Sequence, residues 1–192
     1  FPVTGSGRLL AMYDPESEEF ALISTCFSTH HLVFAEDDDH TLWTSGGGQV
    51  IGWLNTKMFD ETGDEKQSQG WTALVLDTNG NGRRDAYVEL DEAADPTKDT
   101  RIRSGYYGVA VNPVDGTIWG SSLGFPGAIL RLNPGQNPAA TALTEIYMPP
   151  WNNPDAPVQG YSPRGMDIDR HGVAWSPLAS GHLASFDRSK CT

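Results

Sequence analysis

No run of about 18 apolar residues occurs in the chain, so it holds no segment long enough to cross a bilayer as a helix. Cysteine is nearly absent. Cys26 and Cys191 stand at opposite ends of the sequence, which matches no zinc, redox or covalent-haem spacing. They read either as a disulfide joining the chain ends in an oxidising compartment or as two unrelated buried thiols. Basic residues are also few: 13 Lys and Arg face 25 Asp and Glu, for a net charge of −12. A surface of that sign repels phosphate backbones, so nucleic acid is not an expected partner. Thr4-Gly5-Ser6-Gly7 has no following Lys and reads as linker rather than as a nucleotide loop. The start, Phe1-Pro2-Val3-Thr4-Gly5, lacks an initiator Met and a leader-like apolar stretch, as expected of a mature, processed or excised product. A secreted or periplasmic location follows as the expectation.

What the chain does have is turns and aromatics. Its 192 residues include 21 Gly, 13 Pro, six Trp, six Tyr and seven Phe. That composition favours many short strands around a bulky core over long helices. The acidic clusters, Glu16–Glu19, Glu36–Asp39 and Glu89–Asp95, read as solvated surface, with cation binding as the alternative.

A repeat organises the chain. Residues 29–55 read THHLVFAEDDDHTLWTSGGGQVIGWLN, residues 106–133 YYGVAVNPVDGTIWGSSLGFPGAILRLN, and residues 163–187 PRGMDIDRHGVAWSPLASGHLASFD. Each copy has a short apolar strand, a turn, a second strand ending on Trp (Trp43, Trp119, Trp175), a Gly/Ser loop, and a third strand closing on Asn or Asp. The runs ILRLN and LASFD alternate with period two, as half-buried strands do. A fourth strand is predicted at Phe20–Ile23, Thr72–Leu76 and Ala142–Tyr147, and Leu9–Tyr13 reads as another third strand.

Four antiparallel strands per unit, repeated along the chain, are the grammar of a propeller blade. The prediction is an all-β fold of β-propeller blades, about three and a half of them, in a single domain over 1–192 with an insertion at 56–104. Closed propellers have about four to eight blades. The chain is therefore expected to belong to a larger polypeptide, to close unusually, or to assemble with copies of itself. An ordinary β-sandwich would explain the strands but not the Trp repeat.

The unit resembles the blades of the streptogramin-lyase-like (virginiamycin B lyase-like) propellers. The likeness is carried by Pro163-Arg164-Gly165-Met166-Asp167-Ile168-Asp169 with Gly172-Val173-Ala174-Trp175, and by Tyr107-Gly108-Val109-Ala110-Val111-Asn112 with Gly116-Thr117-Ile118-Trp119. The copy at His30-His31-Leu32-Val33-Phe34 departs by having His in place of Gly. The resemblance implies a propeller, and for an enzyme of that group a catalytic His with a magnesium site of Glu ligands.

Two places could carry chemistry. Asp77-Thr78-Asn79-Gly80-Asn81-Gly82-Arg83-Arg84-Asp85 matches the first nine positions of an EF-hand-like calcium loop. Asp77, Asn79, Asn81, the Arg83 carbonyl and Asp85 would be the ligands, but position 12 is Val88. Strand-like flanks at Trp71–Leu76 and Ala86–Leu90 allow the alternative of a β-hairpin at 77–85 whose Asn-Gly pairs make the turn. The second place is where the first strands begin. His30, Tyr107 and Arg164 hold equivalent repeat positions, and such positions converge near a propeller's axis. With His31 and Tyr106 they would form a mouth for an anionic or carbohydrate-like ligand or a partner protein; the alternative is blade-to-blade packing.

His30 and His31 are the candidate bases if the chain is instead a lyase or hydrolase acting on an anionic substrate. As neighbours on a strand they would face opposite sides and not share a metal. A structural domain of a larger assembly is the third expectation. His40, His171 and His182 are predicted to face solvent. Trp151 sits in an exposed loop over Met148–Pro163, where it could reach a ligand or partner.

Overall fold

The computed structural model describes residues 7–46 and 48–191, so residues 4–6 of the glycine-rich stretch lie outside the described residues. Strands β1 (Leu9–Asp14) and β2 (Glu19–Ser24) pair as an antiparallel ribbon. β3 (Leu32–Phe34), β4 (Thr41–Thr44), β5 (Val50–Asn55) and β6 (Gln69–Ala73) follow as a four-stranded antiparallel sheet, with helix α1 (Thr56–Thr62) between β5 and β6. Asn55 caps α1 by accepting the Met58 amide at 2.8 Å, and the Gly63 amide closes its end on the Phe59 carbonyl.

β7 (Val75–Leu76), β8 (Tyr87–Val88) and β9 (Asp99–Arg101) form a small sheet in the order β7-β9-β8. A second four-stranded sheet holds β10 (Val109–Val111), β11 (Ile118–Ser122), β12 (Ala128–Asn133) and β13 (Leu143–Tyr147), with the short α2 (Pro138–Thr141) before its last strand. The last sheet is β14 (Asp167–Ile168), β15 (Ala174–Pro177) and β16 (Leu183–Phe186).

The fold is all-β, a partial propeller. Two complete blades are flanked by a two-stranded and a three-stranded one, and the innermost strand β10 lies between β3 and β14. Three apolar clusters fill the spaces between successive sheets. Leu10 and Ile23 of the ribbon meet Leu42 and Leu54 of the second sheet. Trp43 and Ile51 meet Val109, Ile118, Leu130 and Leu132 of the third. Trp119 and Ile129 meet Ala174, Ile168 and Phe186 of the last. Each blade therefore covers the Trp of the blade before it. Trp43 is 4% exposed and Trp119 1%, whereas Trp175, on the outer face of the last sheet, is 39% exposed.

Three local expectations change. β12 is buried on both faces from Ala128 to Leu132, because blades cover it on both sides, and Arg131 is held by Asp115 and Glu145. β16, in the last sheet, keeps the alternation of a strand covered on one face, as does its neighbour β15. The apolar run Thr72–Leu76 is one segment in sequence but divides between β6 and β7, where the Leu74 carbonyl accepts the Ile102 amide. Apolarity specifies burial, not the pairing partner. Finally, β7 and β8 do not pair with each other across 77–85. Each pairs with β9, β7 antiparallel and β8 parallel, so the segment is not a hairpin.

Cys26 and Cys191 are both free thiols, and neither is buried: Cys26 is half-buried beside Gln69 and Cys191 is exposed. No helix among the described residues is long and apolar enough to cross a membrane.

Candidate functional site

The first strand of each blade begins on what is here called the upper face, which also carries the loops joining second to third strands. There the three blades are tied in sequence. The Ser45 amide donates to the His31 carbonyl at 2.9 Å, and its hydroxyl donates to the Tyr107 carbonyl of the next blade at 2.6 Å. One blade on, the Ser121 hydroxyl accepts the Gly108 amide and donates to the Arg164 carbonyl of the last blade. Ser45 and Ser121 each lie two residues after the repeat Trp. The repeat comparison contained this latch, but a serine in a Gly/Ser loop carries no signal of its own partner.

This stitching sets the three predicted side chains together. The His30 and His31 rings meet edge to face with centroids 4.4 Å apart, and Tyr107 lies 5.3 Å from His30 and 4.8 Å from His31. Both histidines precede β3, so the opposite-face rule for strand neighbours does not govern them. His30 is exposed, while His31 and Tyr107 are half-buried. Burial, with a smaller contribution from the His30 charge, lowers the pKa of His31. Its Nε2 is buried without a hydrogen-bond partner. The His31 imidazole thus keeps an uncommitted ring nitrogen, while His30 stands beside it in solvent.

Two hollows adjoin the cluster. One of about 230 Å³ lies beside Tyr107, Arg103, Gln49 and Ser122. The other, about 530 Å³, is an apolar groove between the β1–β2 ribbon and the second sheet, lined by Leu10, Met12, Phe34 and Leu42 with His30 at its side.

Arg164 is exposed at the start of the last blade. Among the described residues its side chain makes no ring, ionic or hydrogen-bond contact with the cluster. The Tyr106 ring is elsewhere: fully buried in the core, with its hydroxyl donating to the Ile118 carbonyl at 3.2 Å. Burial pushes its phenol pKa well above the ordinary value. Adjacent tyrosines thus divide, one to the core and one to the site. His40, His171 and His182 are exposed, as expected.

The 77–85 loop folds around its own carboxylates. Asp77 accepts the amides of Gly80, Asn81 and Gly82, at 2.8, 3.1 and 2.7 Å. The side-chain amides of Asn79 and Asn81 donate to Asp85 at 3.1 and 2.5 Å and lower its pKa, Asn81 more strongly. The Arg83 amide donates to the Asn81 side-chain oxygen at 2.9 Å. Among the described residues no three His, Cys, Asp or Glu side chains gather as a metal-binding group. Among them no group of three could serve as the Glu-liganded magnesium site implied by the lyase resemblance.

No protein-family model and no curated protein matches the chain. Solved structures do. A streptogramin B lyase structure superposes with a TM-score of 0.50 at 15% identity, over 93% of this chain and 47% of that one. PorZ, an essential bacterial surface component of the type-IX secretion system of Porphyromonas gingivalis, superposes with a TM-score of 0.52 at 13% identity, over 92% of this chain and 22% of PorZ. The likeness is one of fold. The chain spans about half the length of the first and about a fifth of the second.

Proposed function

We propose that the chain is a ligand-binding propeller module of a secreted or periplasmic protein, with its site on the upper face at His30, His31, Tyr107 and Arg164. The observation that carries this reading is the unpartnered, buried Nε2 of His31 within a packed His–His–Tyr cluster. A buried polar atom without a partner costs free energy that a ligand's hydrogen bond would recover. Arg164, exposed at the start of the last blade, supplies positive charge on a chain that is otherwise acidic, so an anionic or carbohydrate-like ligand fits best. Galacturonate and inorganic phosphate are suitable probes for calorimetric titration of the whole chain. Tyr107→Ala and Arg164→Ala should each weaken binding by about tenfold. Unchanged affinity in both variants would remove the site from consideration.

A second reading has support of its own. His31 has an unpartnered ring nitrogen and His30 stands exposed beside it, the groups a general base requires, and one structural neighbour is named a lyase. On this reading the chain turns over an anionic substrate with His30 or His31 as base. Hydrolysis of 4-nitrophenyl phosphate by the chain, abolished in His30→Ala and His31→Ala, would support it; the same rate in both variants would end it.

The PorZ likeness supports a place within a larger surface assembly and the proposed location, which cell fractionation tests directly. Within that module, the 77–85 loop is proposed to take calcium through Asp77, Asn79, Asn81, the Arg83 carbonyl and Asp85. The two amides that converge on Asp85 would turn their oxygens to the ion. Calcium should raise the melting temperature and a chelator should reverse the shift; indifference to both would count against the metal.

A further inference from the structure

Three aromatic rings meet on the upper face, outside the histidine cluster. Phe125, in the loop between β11 and β12, is 61% exposed. Trp151, in the long loop after β13, is 42% exposed. Their centroids are 4.5 Å apart with the planes at 69°, and Tyr161 approaches Phe125 at 5.3 Å and Trp151 at 6.1 Å, edge to face in both cases.

The two loops that carry these rings are fastened to each other. The Ser162 amide donates to the Pro126 carbonyl at 2.6 Å and its hydroxyl to the Gly124 carbonyl. The Ser162 carbonyl in turn accepts the Ala179 amide, and Pro163 bridges to Leu178 of the last blade. A Cβ at Gly127 would stand 2.8 Å from the Pro163 ring, so the loops touch with no side chain between them. Ser162 is buried yet has φ +53°, a left-handed conformation uncommon for serine. A scaffold with a strained, triply bonded residue under an exposed aromatic cluster holds those rings in place before any ligand arrives.

We propose that Phe125, Trp151 and Tyr161 form a stacking subsite for the sugar rings of an oligosaccharide. The apolar C–H face of a pyranose packs on an aromatic face, and its hydroxyls need planar donors and acceptors at the edge. Asn152, Asn153, Asp155 and Gln159 are all exposed in the same loop as Trp151. The mixture of side chains favours this occupant: Phe125 and Trp151 offer exposed rings, and the amide and carboxylate side chains that follow Trp151 in its loop offer the in-plane hydrogen bonds that ring hydroxyls take. The subsite is distinct from the histidine cluster and does not depend on it.

The test is titration of the whole chain, labelled on its Trp indoles, with cellohexaose, chitohexaose and xylohexaose, followed by NMR with the Trp151 signal identified by its loss in Trp151→Phe. At least one of the three should move that signal saturably at concentrations up to about 10 mM. Phe125→Ala and Trp151→Ala should abolish binding of these neutral sugars, read by calorimetry, while Trp71→Ala, at an exposed Trp outside the cluster, leaves it intact. No movement with any of the three probes overturns the proposal, as does binding that survives both aromatic deletions. Broadening of the Trp151 signal with protein concentration alone, without sugar, would assign the cluster to self-association and equally overturn it.

Discussion

Trp119→Ala and Trp175→Ala replace equivalent residues of two successive repeats, yet their costs should differ severalfold. Trp119 is 1% exposed. Its ring stacks on Tyr147 at 6.0 Å with the planes at 12°, meets Phe186 at 6.0 Å, and packs on Ile129 and Ala174; its Nε1 donates to Thr117 Oγ1 at 2.9 Å. Truncation leaves a cavity closed on both sides by blades, and a buried Trp→Ala of that kind costs about 3–5 kcal/mol. Trp175 is 39% exposed and its Nε1 bonds Asp169 at 3.1 Å. Removing it closes no cavity and forfeits part of a side chain's burial, about 1–2 kcal/mol. The expected gap is about 2–3 kcal/mol, or roughly 5–10 °C in melting temperature for a domain of this size. Urea denaturation followed by circular dichroism measures both variants against the parent, with Trp43→Ala as a third member expected to behave like Trp119→Ala. Equal losses at Trp119 and Trp175 would refute the rule that each blade's Trp is buried by the blade that follows.

Other outcomes follow from the same contacts. Gly120→Ala should cost about 3 kcal/mol or more, because a Cβ there would stand 2.0 Å from the buried Tyr106 ring and 2.4 Å from the Gly108 carbonyl; a soluble, equally stable variant in thermal melts would contradict the packing. Ser121→Ala removes a fully buried hydroxyl that joins Gly108 to Arg164 and should cost about 1–3 kcal/mol. Hydrogen exchange should then show faster opening of the last sheet than of the second, and uniform exchange would speak against the latch. His31 makes stability depend on pH. Its folded pKa lies below the unfolded value, so the unfolded chain binds more protons in that window, and stability falls as pH drops through about 6.5. In His31→Gln the slope of unfolding free energy between about pH 7 and about pH 5 should flatten; an unchanged slope would place the titration elsewhere.

Much of the architecture is legible in the sequence because its causes are local. Alternation in LASFD, turn residues such as Asp115-Gly116, and the recurrence of Trp after a short apolar strand each constrain only a few neighbouring residues. Together they specify strands, turns and the blade unit. The helix at Thr56–Thr62 is held locally in the same way, capped by Asn55 at its start and closed by Gly63 at its end.

What the tertiary structure alone decided concerns partners. Tyr106 and Tyr107 are the same residue type side by side, and only the arrival of Gly120 opposite one of them sends Tyr106 into the core and leaves Tyr107 beside the histidines. The segments on either side of the 77–85 loop look like the arms of a hairpin, yet β9, supplied from further along the chain, separates them. Phe125, Trp151 and Tyr161 come from two loops with no common pattern and meet because Ser162 binds one loop to the other. Trp43, Trp119 and Trp175 are equivalent in the repeat and unequal in the fold, since burial of a blade's outer face is a property of its neighbour. Sequence by itself determined the unit, because a strand and its turns are held by residues close in the chain. Which copies of that unit are covered, and which side chains are left to face a ligand, depended on contacts between blades.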